Sequence, residues 1–158
     1  MTDGLSHGWI LMAIKLFNGR FELGLRILII LGQKKSASID ELLAFDFVTT
    51  YASSFNLSTD SLHGDNAYNY SEIASRREMM DKGINFLMMY DLLEICYDSG
   101  SGYEYRLTKL GRNIESQLND QYALEYRQTL SCVINKYSQL SSKEMMKLIN
   151  SNFMKELE

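Results

Sequence analysis

The stretch Leu93-Glu94-Ile95-Cys96-Tyr97-Asp98-Ser99-Gly100-Ser101-Gly102-Tyr103-Glu104-Tyr105-Arg106-Leu107 decides the fold. Leu93, Ile95 and Tyr97 alternate along its first arm, and Tyr103, Tyr105 and Leu107 alternate along its second. A period of two on both sides of a Gly/Ser turn predicts a β-hairpin. With Tyr97 set opposite Tyr103, Ile95 faces Tyr105 and Leu93 faces Leu107, so all six share one side of the ribbon. Two strands alone are marginally stable, and that apolar side is therefore expected to lie on helices.

Helical spacing dominates on either side of the hairpin. Upstream, Tyr70 to Tyr90 carries two apolar stripes, Ile73, Met80, Ile84, Leu87 and Met79, Gly83, Phe86, Tyr90, which predict a helix touching two neighbours. Gly83 in its middle costs on the order of 1 kcal/mol against alanine, and a close helix approach would justify it. Asn56 to Asn66 is polar and predicts a loop. Ser38-Ile39-Asp40-Glu41 reads as a capping box, starting a helix that runs through Leu42, Phe45, Thr49 and Ala52 to about Phe55. Before it, Phe21, Leu25 and Leu28, with Leu23, Ile27, Ile30 and Leu31 between them, give a helix apolar on most sides and centrally buried. Gly32 is its expected stop, and the opening stretch to Phe17 is apolar without a regular period.

Downstream, Thr108 caps a helix bearing Leu110, Ile114, Leu118, Tyr122, Tyr126, Leu130, Val133 and Tyr137 on one side, with a break expected at Asn119-Asp120. Ser141 to Glu144 begins a last amphipathic helix with Met145, Ile149, Phe153 and Leu157 in line. Three helices, a hairpin and a helix follow the order of a winged helix, whose hairpin is the wing. The expected fold is mainly α with a β-hairpin, a winged-helix-like domain with N- and C-terminal helical extensions. One domain spans 1–158, its core at about 18–112 and a C-terminal helical extension at about 113–158. The other architecture compatible with the pattern is a helical bundle carrying a hairpin.

Composition narrows the function. At 46% hydrophobic and 23% charged residues, the 158-residue chain has the balance of a globular domain. Its formal charge of -4 runs against a dedicated nucleic-acid binder, which carries a basic excess. Cys96 and Cys132 stand in apolar stretches and read as reduced, buried thiols. The apolar run Leu23 to Leu31 contains Arg26 and is about half the length that spans a bilayer. With no secretory leader pattern at Trp9 to Phe17, a cytoplasmic location is expected.

The chemistry of a catalyst is missing from the pattern. The glycines at 100 and 102 join two strands and are followed by no lysine, unlike a phosphate loop. His7, His63, Cys96 and Cys132 have no metal-ligand spacing, and neither cysteine has a basic neighbour to activate it. Glu41, Asp46, Glu72 and Glu78 read as caps and helix-face charges. No metal, cofactor or catalytic residue is expected, and the chain should act by binding.

Arg76, Arg77 and Lys82 lie where a helix-turn-helix presents its recognition face, and Arg106, Lys109 and Arg112 lie at the wing. Glu72, Glu78, Asp81, Glu94 and Glu104 are interleaved with them and cancel much of the field that phosphate contacts need. Arginines on such a mixed face suit an acidic protein partner. The candidate partner-binding residues are therefore Arg76, Arg77 and Lys82 on the helix and Ser99, Gly100, Ser101, Tyr103 and Arg106 on the wing. A winged-helix DNA-binding transcriptional regulator is the alternative.

The stretch Asn18-Gly19-Arg20-Phe21-Glu22-Leu23-Gly24-Leu25-Arg26-Ile27-Leu28 resembles the opening signature of the middle component of ABC three-component defence systems, which include Lamassu. Leu42-Leu43-Ala44-Phe45-Asp46-Phe47 is similar to the second helix of that family. Ser61-Leu62-His63, Tyr70-Ser71-Glu72-Ile73-Ala74-Ser75-Arg76-Arg77 and Lys82-Gly83-Ile84 resemble its loop and third helix. The likeness runs in order over roughly Asn18 to Arg127. It implies a non-catalytic accessory subunit between an SMC- or Rad50-like ATPase and an effector, commonly a nuclease. Such a complex acts against phage or plasmid DNA, with DNA met through the assembly and no membrane involved.

Overall fold

The computed structural model describes residues 20–56, 70–100 and 102–156. In chain order it contains α1 (Arg20–Lys34), β1 (Ser36–Ala37), α2 (Ile39–Thr50), a 3-10 turn (Ala52–Phe55), α3 (Tyr70–Met89), β2 (Leu93–Asp98), β3 (Gly102–Leu107), α4 (Lys109–Ser116), α5 (Gln121–Tyr137) and α6 (Ser142–Glu156). The fold is mainly helical with a small antiparallel sheet. The hairpin forms in the register that the alternation requires, Tyr97 opposite Tyr103, Ile95 opposite Tyr105 and Leu93 opposite Leu107. On the far side of β3 lies β1, with Ser36 opposite Arg106 and Ala37 opposite Tyr105. Two residues carry no period, so β1 has no signature in the sequence. The order β1-β3-β2 leaves β2 at an edge.

Local chemistry explains the helix boundaries. The Ser38 hydroxyl accepts from the Glu41 amide at 3.2 Å, and the Glu41 carboxylate accepts from the Ser38 amide at 3.3 Å, so the capping box forms in full. α2 stops at Thr50 and gives way to the 3-10 turn, where one helix to Phe55 was expected. The Thr49 and Thr50 hydroxyls donate to the carbonyls of Phe45 and Phe47, at 2.6 and 3.1 Å, inside the last turn. Such side-chain bonds compete with the helical ladder. The expected break after α4 is present, and Asp120 caps α5 by accepting from the Ala123 amide at 2.9 Å. Gly32 is not a stop, because α1 continues to Lys34 and ends where Lys35 takes φ 72°. Glycine serves spacing there: a Cβ would lie 2.8 Å from the Glu115 carboxyl carbon.

Packing centres on α1, whose residues Leu23, Ile27, Leu28, Ile29, Ile30 and Leu31 are all buried. α3 crosses it closely, a Cβ on Gly83 falling 3.6 Å from the Gly24 amide nitrogen and 3.1 Å from Ile27 Cδ1. That is the close approach the mid-helix glycine implied. From the other side, α5 contributes Ala123, Tyr126, Leu130, Val133 and Tyr137, and α6 contributes Met145 and Ile149, to the same core. The C-terminal helices thus complete the interior that α1 and α2 begin.

The sheet departs from expectation in one respect. Only its base is covered: Leu93 and Leu107 are buried and Tyr105 is half-buried, while Ile95, Tyr97 and Tyr103 are 48%, 70% and 69% exposed. α1, α3 and α4 meet the hairpin near that base, and the ribbon runs on past them. The cysteines differ too. Cys132 is exposed because the buried side of α5 runs through Leu130 and Val133, and Cys96 is half-buried on the ribbon face that carries Glu94, Glu104 and Arg106; both are free thiols. Among the described residues no helix is long and apolar enough to cross a membrane. The opening stretch, His7, His63, Ser101, Leu157 and most of the loop expected at 56–66 lie outside the described residues.

Candidate partner-binding surface

Arg76, expected on the surface, is instead part of the interior. It is 7% exposed and belongs to a polar cluster around Asp46, which is fully buried on α2. Arg76 donates to the Thr50 hydroxyl at 2.6 Å, to Asp46 Oδ2 at 3.4 Å and to Glu72 Oε1 at 2.9 Å. Its guanidinium also lies 4.7 Å from the centre of the Phe47 ring. From α1, Arg26 places Nε 2.8 Å from Asp46 Oδ1 and donates through Nη2 to Oδ2 at 3.1 Å. From α5, the Tyr126 hydroxyl donates to Asp46 Oδ1 at 2.7 Å. Four helices therefore meet at one carboxylate.

Burial alone would raise the Asp46 pKa, but the charges of Arg26 and Arg76 and the Tyr126 hydroxyl hold it below the usual carboxylate range. Burial pushes the Tyr126 hydroxyl well up, and Asp46 adds to the effect. The periodicity that marked Arg76 as a recognition residue could not distinguish it from Arg77, one position on. The informative signal is Asp46 itself, a carboxylate inside an otherwise apolar helix that needs a buried cation.

The remaining candidates reach the surface. Arg77 donates to Asp40 at 2.6 Å with both side chains about half exposed, and Lys82 lies 3.4 Å from Glu78. Arg106 donates from Nε to Glu94 at 2.7 Å across the hairpin. At the tip, Ser99 and Gly100 are exposed, the Gly100 amide donating to Asp98 Oδ1 at 2.7 Å. The Tyr103 ring packs edge-on against Tyr97 with centroids 5.6 Å apart. Ser101 lies outside the described residues. The hairpin candidates Ser99, Gly100, Tyr103 and Arg106 come together on one ribbon; Arg77 and Lys82 sit apart on α3, each in a pair with an acid.

Sequence reasoning passed over Ile95 and Tyr97 as a surface. Both were assigned to a covered face, yet with Tyr103 they form an exposed apolar strip on one side of the hairpin. The readable signal was arm length, since a six-residue arm reaches roughly 20 Å, beyond what flanking helices cover. Beside the hairpin's base, Lys35, Arg106 and Arg112 line a cleft of about 560 Å³ with Leu31, Gly32, Leu107 and Glu115. Glu115 is held 3.0 Å from Arg127 and Arg106 2.7 Å from Glu94, so the rim of the cleft mixes paired charges with the cations Lys35 and Arg112. Among the described residues no group of His, Cys, Asp and Glu is arranged to hold a metal. An exposed aromatic strip beside paired charges has the apolar centre and polar rim that protein interfaces share.

No curated protein and no solved structure gives a significant match to the chain. A family model matches residues 16–158. By that match the chain belongs to the family described as ABC-three component (ABC-3C) system Middle Component 2, and it is a component of such a defence system with protein partners.

Proposed function

We propose that this chain is the non-catalytic bridging subunit of a Lamassu-type ABC-3C complex, linking an SMC- or Rad50-like ATPase to an effector nuclease. In this reading it is a winged-helix-like cytoplasmic domain, and phage or plasmid DNA is met through the assembly. The order α1, β1, α2, α3, β2, β3 supports the winged-helix assignment. The observation that carries the bridging role is the exposed strip of Ile95, Tyr97 and Tyr103. Burying one such side chain gains roughly 1.5–3 kcal/mol, enough for three of them to anchor a partner.

The regulator reading is weaker. Of the three cations on α3, Arg76 is buried, and Arg77 and Lys82 are each matched to a carboxylate.

The test is Tyr97→Ser with Tyr103→Ser, co-expressed with the other components of the system. The edge-on ring pair is worth only about 0.5–1.5 kcal/mol to the free chain, so its melting temperature should fall by a few degrees. Affinity capture of the other components should drop at least about tenfold, equivalent to about 1.4 kcal/mol. Capture at the wild-type level would sink the assignment of this strip.

A further inference from the structure

The Thr108 amide donates to the Leu92 carbonyl at 3.1 Å, one step beyond the Leu93–Leu107 pair. Leu92 and Thr108 are thus a hydrogen-bonded pair of the antiparallel ladder, and such pairs alternate with non-hydrogen-bonded ones. Glu94, Cys96 and Asp98 consequently turn their amides and carbonyls toward β3. Ile95 and Tyr97 turn theirs outward. Among the described residues no strand pairs with that outer edge.

Natural edge strands are blunted by charged side chains, lysine above all, by proline, bulges or brevity, or by a covering helix or loop; the charges of β2, Glu94 and Asp98, both stand on one face. β2 has no lysine or proline, its six residues pair with β3 in unbroken register, and of its outward residues Leu93 is buried at the base while Ile95 and Tyr97 have exposed apolar side chains. The two faces of the hairpin differ in character. Ile95, Tyr97, Tyr103 and Tyr105 share one; Glu94, Asp98, Glu104 and Arg106 share the other, with three carboxylates to one guanidinium.

We propose that the outer edge of β2 accepts a fourth strand from another component of the ABC-3C complex. The incoming segment is extended, apolar on the side of Ile95 and Tyr97 and lysine- or arginine-bearing on the side of Glu94 and Asp98. The identity of the donor rests on the bridging reading; the strand addition rests on the edge. A second copy fits less well in the register that matches Ile95 with Tyr97. Two β2 strands antiparallel about Cys96 would set Ile95 against Tyr97, but they would also set Glu94 against Asp98 twice, and like charges directly opposite are destabilising.

Residue-resolved amide hydrogen exchange on the wild-type chain, free and in complex with its co-expressed components, tests this. In the free chain the Ile95 and Tyr97 amides should exchange fast while that of Cys96 is protected, and the complex should slow the first two by about tenfold or more. Ile95→Pro removes one outward donor at an edge position where proline is tolerated, whereas Ile95→Thr keeps the donor and gives up the apolar contact. The proline variant should lose at least about tenfold more capture than the threonine variant, a difference of one hydrogen-bonded backbone position. Equal losses, or a complex with both amides unprotected, overturn strand addition and leave bridging intact. Protection already present in the dilute free chain means that the chain covers its own edge, and protection that grows with concentration means self-pairing; either overturns the proposal. A wild-type chain that co-purifies with no component overturns both readings.

Discussion

Asp46 shows how much can hang on one side chain. Its carboxylate is fully buried, with Arg26 and Arg76 on either side and the Tyr126 hydroxyl donating to it. A buried pair is a weak net stabiliser, but removing one partner leaves charge uncompensated and costs about 3–5 kcal/mol. Asp46→Asn should therefore lose stability of that order, read from urea melts, and Arg76→Glu should be as damaging. Arg77→Glu breaks only a half-exposed pair and should change stability by about 1 kcal/mol or less. A melt of Arg76→Glu that matched wild type would contradict the cluster. The sign of the pH dependence follows from the depressed Asp46 pKa. A lowered folded-state value gives stability that is complete above the unfolded pKa, about 3.9, and lost as pH falls through the folded one. Asp46 should contribute no loss between neutrality and about pH 4, so the wild-type minus Asp46→Asn difference should stay flat over that window and shrink only below it. Beside this cluster the Tyr51 hydroxyl donates to Glu72 at 2.5 Å, and burial, with that bond, pushes its pKa up to about 12. It stays protonated throughout the titration.

At the scale of elements, the joint between hairpin and α4 is a close one. Thr108 caps α4 by accepting from the Gly111 amide at 2.9 Å and donates its hydroxyl hydrogen to the Asp91 carbonyl at 2.6 Å. The Leu92 carbonyl lies so close to Gly111 that a Cβ there would sit 2.1 Å from its oxygen. Backbone cannot yield as a flexible side-chain end can. Gly111→Ala should therefore destabilise by about 1–3 kcal/mol or more, despite alanine's better helix propensity, and hydrogen exchange should show the hairpin base loosened. Gly83→Ala is the contrasting case, because its nearest neighbour is the terminal methyl of Ile27 and the cost should be smaller. These elements also mark what the sequence could and could not disclose. Period two, period 3.6 and the three cap signals at Ser38, Thr108 and Ser141 place the helices and the hairpin register, because those patterns are local. Exposure of Ile95, Tyr97 and Tyr103, burial of Arg76 and the pairing of β1 depend on where distant elements end. No single segment encodes that. The local rule, apolar side inward, fails where the ribbon is longer than its support.

Across the described residues, the C-terminal helices share one interior with α1 and α2. Tyr126, Leu130, Val133, Tyr137, Met145 and Ile149 are all nearly or fully buried, and Tyr126 closes the Asp46 cluster. A chain ended after Gln117 should lose its cooperative melt, since it would expose the apolar faces of α1 and α2 and leave Asp46 short of a hydrogen bond. The charge pattern sets the last expectation. With 16 basic and 20 acidic residues the chain carries -4, so duplex DNA meets net repulsion at long range. The ion pairs Arg77–Asp40, Lys82–Glu78, Arg106–Glu94 and Arg127–Glu115 further lower the cationic field at close range. Phosphate contacts release counterions and account for most non-specific affinity, and cations already held by carboxylates are poorer donors of such contacts. The isolated chain should therefore bind a random duplex no tighter than about 10⁻⁴–10⁻⁶ M near physiological salt, with a shallow dependence on salt concentration. Fluorescence anisotropy against random and system-derived duplexes measures both quantities. A nanomolar, sequence-dependent constant for the chain alone would transfer it to the regulator reading; equal weak binding to all duplexes keeps DNA recognition with the assembled complex.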